Sequence, residues 1–153
     1  GSGGGIAKSK WATVGFGASH KPLDAEDLRD TGMGQFPVVI GGIGPVVNIE
    51  GVQPGDLKLT GAVVADIVLG KVQKWNDKAI ADLNPGAKLP ETLITVVHRS
   101  DGSGTSFNVT NYRSKVSPEW KEKVVLGNTV AWPTAYGRQG LESLASCGKR
   151  SAG

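Results

Sequence analysis

The stretch VVHRSDGSGTSF, residues 96–107, says most about how this chain folds. β-Branched residues lead into it, a loop marked by Gly102 and Gly104 follows, and Ser and Thr residues then open the segment that runs from Phe107 to Lys115. β-Branched runs favour strands, and hydroxyl residues placed ahead of a helical segment are typical of helix N-caps. The stretch therefore predicts a strand, a tight loop and a helix in succession.

The sequence on either side repeats this alternation. Thr60 is a candidate N-cap for a helix that ends near Gly70, and Asp24 is one for a shorter helix that ends at Gly32. Further helices are predicted over residues 6–11, 78–83 and from 118, and strands over residues 13–17, 36–40, 45–49 and 93–97. Strands that alternate with helices are typical of an α/β fold with mixed, mostly parallel sheets.

The sequence changes character after residue 137. Residues 141–145 fit a helix, but the last seven residues, CGKRSAG, have no core-forming pattern. We therefore predict a divergent, flexible tail over residues 138–153.

Composition excludes several classes of protein. A chain of 153 residues and 15.9 kDa suits one domain or two small lobes. Its net charge of +3 and its scattered aromatic residues (four Trp, three Phe, two Tyr) argue against a nucleic-acid binder. No apolar run reaches the roughly 18 residues that a membrane-spanning helix needs. The single cysteine, Cys147, can form no internal disulfide, and no Cys/His cluster offers a zinc site.

The loop between residues 99 and 105 has the chemistry of an anion site. Backbone N–H groups at a helix N-terminus attract negative charge, and glycines let the backbone approach a ligand closely. Ser103 and Thr105 would add hydroxyl donors. Arg99 would add a planar guanidinium fork, a pair of N–H donors whose geometry suits tetrahedral oxyanions. Asp101 would hold the Arg99 guanidinium in place and could also accept a hydrogen bond from a protonated ligand oxygen. The same residues also fit a plain helix cap and a surface ion pair, and the local pattern leaves both interpretations open.

Catalytic motifs are not found in this stretch. A P-loop requires a lysine that the loop lacks, and the nucleophile elbow G-x-S-x-G fails because residue 101 is aspartate. The sequence shows no carboxylate pair, metal cluster or nucleophile with a neighbouring base, so an enzyme is the weakest interpretation.

Two further stretches are ambiguous when taken by themselves. GSGGGI, residues 1–6, is either another anion-binding nest or a flexible linker. FGASHKPL, residues 16–23, ends a predicted strand with polar groups, and a lone histidine such as His20 is more often an ordinary loop residue than a ligand contact.

Taken together, these stretches form a pattern that is specific to one protein family. In order and spacing, the chain from residue 1 to about residue 137 resembles the phosphate-binding proteins of bacterial phosphate ABC transporters. The matching blocks are GSGGGI, FGASHKPL, QFPVVIGGIGPVVNI (35–49), LKLTGAVVADIVLGKVQKWND (57–77), LNPGAKLP (83–90) and VVHRSDGSGTSF.

The resemblance implies a periplasmic-binding-protein-like fold in which two α/β lobes close on one dehydrated phosphate. Residues 1–50 would form part of the first lobe and residues 51–137 part of the second. It implies capture of inorganic phosphate in the periplasm, or another extracytoplasmic space, and delivery to a membrane permease. Neither a cofactor nor catalysis is implied. The residues that it assigns to phosphate are Ser2, His20, Arg99, Asp101, Ser103, Gly104 and Thr105.

The chain departs from the family in two ways. The family usually has aspartate where this chain has His20, and that aspartate accepts the phosphate proton and repels fully ionised sulfate. We therefore expect weaker discrimination between phosphate and sulfate here. Members of the family are also longer, so the resemblance implies truncation at both ends. A binder of another tetrahedral oxyanion, such as sulfate, and an interaction module with a vestigial cleft remain alternatives.

Overall fold

The computed structural model describes residues 1–124 and 126–150, and within them it contains seven helices and two strands. In chain order these are α1 (Ser2–Lys10), α2 (Ala25–Thr31), α3 (Gly61–Val68), α4 (Lys78–Ala81), β1 (Val97–Arg99), α5 (Gly104–Val116), α6 (Pro118–Lys123), β2 (Tyr136–Arg138) and α7 (Gly140–Arg150). The two strands pair in parallel, with Arg99 opposite Arg138. In the described part of the chain, no helix is long and apolar enough to cross a membrane.

The predicted helix caps are present. The Asp24 carboxylate accepts from the backbone N–H of Asp27 at 2.8 Å, and Gly32 ends α2 at a φ of +65°. The Thr60 hydroxyl accepts from the N–H of Val63 at 3.3 Å and begins α3. Ser117, which was not among the predicted caps, also caps a helix: its hydroxyl oxygen accepts from the N–H of Trp120 in α6. Local side-chain chemistry therefore sets where these helices begin.

The apolar core lies between residues 49 and 124. One cluster of buried side chains surrounds Trp75 and a second surrounds Trp120, and neighbouring residues of α3 join them: Ile67 packs in the first cluster and Val68 in the second. Among the described residues before Ile49, Ser2 alone is buried. The N-terminal third of the chain is consequently held to the rest by polar contacts and not by a core of its own.

The predicted strands of the N-terminal third do not form. Residues 13–17, 36–40 and 45–49 contain no strand, and Phe36 and Ile40 are 78% and 96% exposed. A strand that is apolar on both faces needs neighbouring strands to bond its backbone and cover its side chains. The described residues supply no such neighbours to this segment.

Near residues 96–107, the bounds of one strand and one helix differ from the predicted ones. The strand predicted over residues 93–97 is β1, at Val97–Arg99, and Leu93 makes only an isolated antiparallel bridge with Lys74. Helix α5 begins at Gly104 and not at Phe107, because the Ser103 hydroxyl accepts from the backbone of its first turn.

The C-terminal segment contains regular structure up to Arg150, and its flexibility stays a prediction. Strand β2 pairs with β1, and α7 packs against both strands. Gly140, Leu144, Cys147 and Gly148 are partly buried, and this spacing places them on one face of the helix. Residues 151–153 of the predicted tail lie outside the described residues. The division into lobes at residue 50 stays a prediction.

Candidate functional site

The first turn of α1 lies directly against the loop that precedes α5. The backbone N–H of Gly3 donates to the carbonyl oxygen of Gly102 at 2.9 Å. A Cβ added to Gly1 would lie 2.8 Å from that same oxygen and 3.0 Å from a carboxylate oxygen of Asp101. The GSGGGI stretch is therefore the beginning of a helix, placed beside the loop, and not a flexible linker.

A third segment joins these two at His20. The N–H of His20 donates to the Ser2 hydroxyl oxygen at 3.1 Å, and its carbonyl oxygen accepts from the side-chain amide of Asn108 at 3.1 Å. A Cβ on Gly104 would lie 2.5 Å from the Cβ of His20 and would also clash with the Ser2 hydroxyl. Only glycine at position 104 lets the three segments approach this closely.

Ser103 organises the N-terminus of α5. The residue is 1% exposed, and its hydroxyl oxygen accepts from the N–H groups of Thr105, at 3.2 Å, and of Ser106, at 3.5 Å. Its own N–H donates to the carbonyl oxygen of Asn128 at 3.0 Å. Both bonds to the hydroxyl oxygen use lone pairs, so the hydroxyl hydrogen remains available to donate to a ligand.

Arg99 and Asp101 form a two-point ion pair. The Nε–H of Arg99 donates to Oδ1 of Asp101 at 2.6 Å, and the Nη2 group donates to Oδ2. The N–H of Gly140 adds a third bond to Oδ1 at 3.2 Å. The guanidinium holds the pKa of the Asp101 carboxyl well below its usual range. Only 9% of the Arg99 side chain is exposed, so this is not the solvent-exposed pair that the sequence left open as an alternative.

The ion pair with Asp101 leaves some N–H donors of the Arg99 guanidinium unused. A guanidinium has five N–H groups, and Asp101 occupies two of them. Asp101 fixes the direction of the fork, while the remaining donors stay available for an oxyanion.

An aromatic cluster lies against His98, the residue that precedes Arg99. The Nδ1–H of His98 donates to the carbonyl oxygen of Arg99 at 2.7 Å, and its ring stacks on Trp132 with 4.7 Å between centroids. The Arg113 guanidinium lies 4.9 Å from the Trp120 ring centroid, and burial lowers the pKa of Arg113 to about 10. Through the His98 bond, this cluster holds the carbonyl oxygen of Arg99.

The structure brings all seven predicted site residues into one region around Gly104. Their roles toward a ligand stay predictions. Sequence reasoning missed the part played by Asn108, whose side chain ties His20 to the carbonyl oxygen of Gly104 at 2.8 Å. Its position four residues after Gly104, on the same face of α5, was the available signal.

The region has the composition of an anion site. In the described residues, no group of three or more His, Cys, Asp or Glu side chains could hold a metal ion. Two helices begin here, α1 and α5, and the N-cap of α1, Gly1, supplies no side-chain cap within the described part of the chain. The Gly3 N–H already donates to Gly102, which leaves the N–H groups of Ser2 and Gly4 in the first turn of α1 for a negatively charged ligand.

Comparison with known proteins places the chain in a family. The family model described as a PBP superfamily domain matches residues 1–143. The chain belongs to this superfamily. The observed α/β arrangement, with a small parallel sheet among helices, agrees with part of such a domain.

Several curated relatives have the same name. The chain is 59% identical to the phosphate-binding protein PstS of Xylella fastidiosa (strain 9a5c) over 146 residues, which are 95% of this chain and 40% of that protein. It is 56% identical to the phosphate-binding protein PstS of Pasteurella multocida over 146 residues, which are 42% of that protein. It is 48% identical to that of Methanocaldococcus jannaschii over 102 residues, or 65% of this chain and 26% of the relative. The chain thus spans about two-fifths of the length of the first two relatives.

Proposed function

We propose that this chain binds inorganic phosphate, as part of the solute-binding component of an ABC phosphate importer. The observation that carries the proposal is the convergence of two helix N-termini, the Arg99 fork and the hydroxyls of Ser2 and Ser103 on Gly104. The relatives named as phosphate-binding proteins support phosphate as the anion.

Each site residue has a part that its chemistry suits. The backbone N–H of Gly104, together with the hydroxyls of Ser2, Ser103 and Thr105, would donate to phosphate oxygens, since the N–H groups of Gly3, Thr105 and Ser106 already donate to Gly102 and Ser103. Arg99 would supply a charged donor whose orientation Asp101 fixes. Gly104 would let the anion approach the backbone, and the His20 imidazole would face the anion from the third segment.

The proposed task is capture and not conversion. Hydrogen-bond donors surround the region, and the Asp101 carboxylate, which lies in it, is bound at both oxygens to Arg99. Such an arrangement suits the holding of an oxyanion, and the proposal includes no chemical step on it. We place the protein in the periplasm, or another extracytoplasmic space, with a membrane permease of the same importer as its partner.

Calorimetric titration with inorganic phosphate tests the proposal. The matched variants are Arg99→Lys and Arg138→Lys, because the two arginines lie opposite each other in the parallel register and Arg138 is exposed. Losing the fork at Arg99 should weaken phosphate binding about tenfold or more, whereas Arg138→Lys should change it less than about twofold. A folded chain that gives no saturable binding up to about millimolar phosphate contradicts the proposal.

A further inference from the structure

A cavity of about 270 Å³ lies along one side of α1. Ile6, Ala7 and Trp11 line it from the helix and its C-terminal end, and Leu23 lines it from the segment that precedes α2. These side chains give the cavity an apolar wall. Because an apolar cavity of about 150 Å³ accepts a benzene-sized ring, this one has room for a single ring with a small substituent.

The cavity borders the candidate anion site. Gly3 lines the cavity, and its N–H donates to the carbonyl oxygen of Gly102, in the loop before α5, at 2.9 Å. Asn128 also lines the cavity, and its carbonyl oxygen accepts from the N–H of Ser103 at 3.0 Å. Two residues that are bonded to the loop of the anion site are therefore walls of the cavity as well, and one ligand can contact both regions.

A lysine without an acidic partner lies where the two regions meet. Lys21, the residue after His20, lines the cavity, and its ammonium group lies 5.6 Å from the ring centroid of Phe107 in the first turn of α5. Within the described residues no carboxylate pairs with Lys21, whereas Lys10, the other lysine of the cavity, is paired with Asp27. An unpaired ammonium group favours a ligand that carries negative charge.

The spacing along α1 fits a phosphate that is joined to one ring. A helix rises 1.5 Å per residue, so Ile6 and Ala7 lie about 5 Å beyond Gly3 along the axis, and Trp11 lies about 12 Å beyond it. The first distance matches the reach of a ring that is attached to phosphate through one ester oxygen. The second places the Trp11 indole where it can cover a substituent on that ring.

We propose that the site binds phosphate monoesters of small aromatic or apolar alcohols as well as inorganic phosphate, with the organic group in this cavity; this inference rests on the proposed function. A monoester leaves three phosphate oxygens for the donors of Arg99 and Ser103, and the fourth oxygen carries the organic group toward Ile6. The ester is bound, and no bond in it is broken.

Calorimetric titration with phenyl phosphate, methyl phosphate and inorganic phosphate at one neutral pH tests the proposal. Phenyl and methyl phosphate have the same anionic group and differ in the organic part, so the ratio of their affinities measures what the cavity contributes. We expect phenyl phosphate to bind about tenfold more tightly than methyl phosphate. Inorganic phosphate should displace phenyl phosphate, because both occupy the same anion site.

Trp11→Ala and Phe36→Ala are matched variants. The two side chains are 73% and 78% exposed, so neither substitution opens the core, and only Trp11 lines the cavity. Trp11→Ala should weaken phenyl phosphate binding about fivefold and change inorganic phosphate binding less than about twofold, whereas Phe36→Ala should change neither. Ala7→Leu, which keeps a good helix former and fills part of the cavity, should give the same selective loss as Trp11→Ala.

Three results would overturn the inference and leave the proposed function standing, provided that inorganic phosphate binds the folded chain. Phenyl phosphate could bind no more tightly than methyl phosphate, inorganic phosphate could fail to displace it, or Trp11→Ala and Phe36→Ala could have equal effects on it. If none of the three ligands binds the folded chain, the proposed function fails and the inference fails with it.

Discussion

The backbone N–H of Gly3 donates to the carbonyl oxygen of Gly102 across 2.9 Å, and this bond joins the first turn of α1 to the loop before α5. A Cβ on Gly3 would lie 3.2 Å from the Cα of Gly102, and a Cβ on Gly102 would lie 3.2 Å from the Cα of Gly3. Two glycine-containing stretches from distant parts of the sequence are therefore close enough for both helix N-termini to face one ligand. The N-terminal third has no apolar core of its own, so contacts of this kind position it.

Gly104→Ala should separate these segments. The added methyl group would clash with the Ser2 hydroxyl and with the Cβ of His20, so we expect phosphate affinity to fall about tenfold or more. The matched control is Gly4→Ala, because a Cβ on Gly4 meets nothing within 4 Å and lies in a helix. Calorimetric titration of both variants checks the expectation, and equal affinities for the two would contradict it.

Ser103 and Ser117 offer a matched pair for separating stability from binding. Both are buried N-caps, Ser103 of α5 and Ser117 of α6. Replacing either by alanine should lower the free energy of unfolding by about 1 kcal/mol, measured by urea denaturation. Ser103→Ala alone should also weaken phosphate binding, because its hydroxyl hydrogen is a proposed donor. A phosphate affinity that is the same in both variants would exclude that role.

The Asp101 carboxylate should make the free energy of unfolding depend on pH. Arg99 lowers the pKa of the Asp101 carboxyl, so the ion pair stabilises the fold above the ordinary aspartate pKa of about 3.9. This stabilisation is lost as pH falls below that value toward the lowered folded-state pKa. We expect Asp101→Asn to reduce the free energy of unfolding by about 1.5–3 kcal/mol at neutral pH. The difference between the variant and the chain should shrink as acid protonates Asp101, and a difference that stays constant down to about pH 2 would rule out the pair as its source.

The segment from Phe36 to Val47 should exchange its amide hydrogens rapidly. It forms no strand, and Val38, Val39 and Val46 are 83%, 81% and 95% exposed. Hydrogen exchange followed by mass spectrometry should find this segment among the least protected of the chain, and the buried later turns of α3 and α5 among the more protected. Strong protection of residues 36–47 would mean that they pair as strands after all.

The sequence predicted the parts of the fold that local chemistry controls. Asp24 and Thr60 cap helices because their side chains reach N–H groups three residues away, and this can be read from the residue type and its position. The predicted order of strand, loop and helix around Arg99 is also present. The pairing of β1 with β2 agrees with the expected parallel class of sheet, although no strand was predicted over Tyr136–Arg138.

Parts that depend on distant neighbours were not predicted. The apolar run from Phe36 has strand composition, but composition cannot supply the adjacent strands that a central position requires. A helix was predicted after residue 137 only over residues 141–145, whereas α7 spans Gly140–Arg150, and the strand over Tyr136–Arg138 was not predicted. Asn108 was missed because its contacts reach His20, a residue remote in sequence.

An NMR titration of the isotope-labelled chain with inorganic phosphate would show directly whether the three segments form one anion site. The proposed function predicts saturable shifts of backbone amide signals from Ser2 and Gly3, from His20, and from residues 103–105. It also predicts that signals from the loop over residues 51–58, which lies outside the site, stay unchanged. Shifts that are confined to exposed lysines, or that grow linearly without saturating, would contradict the existence of this site.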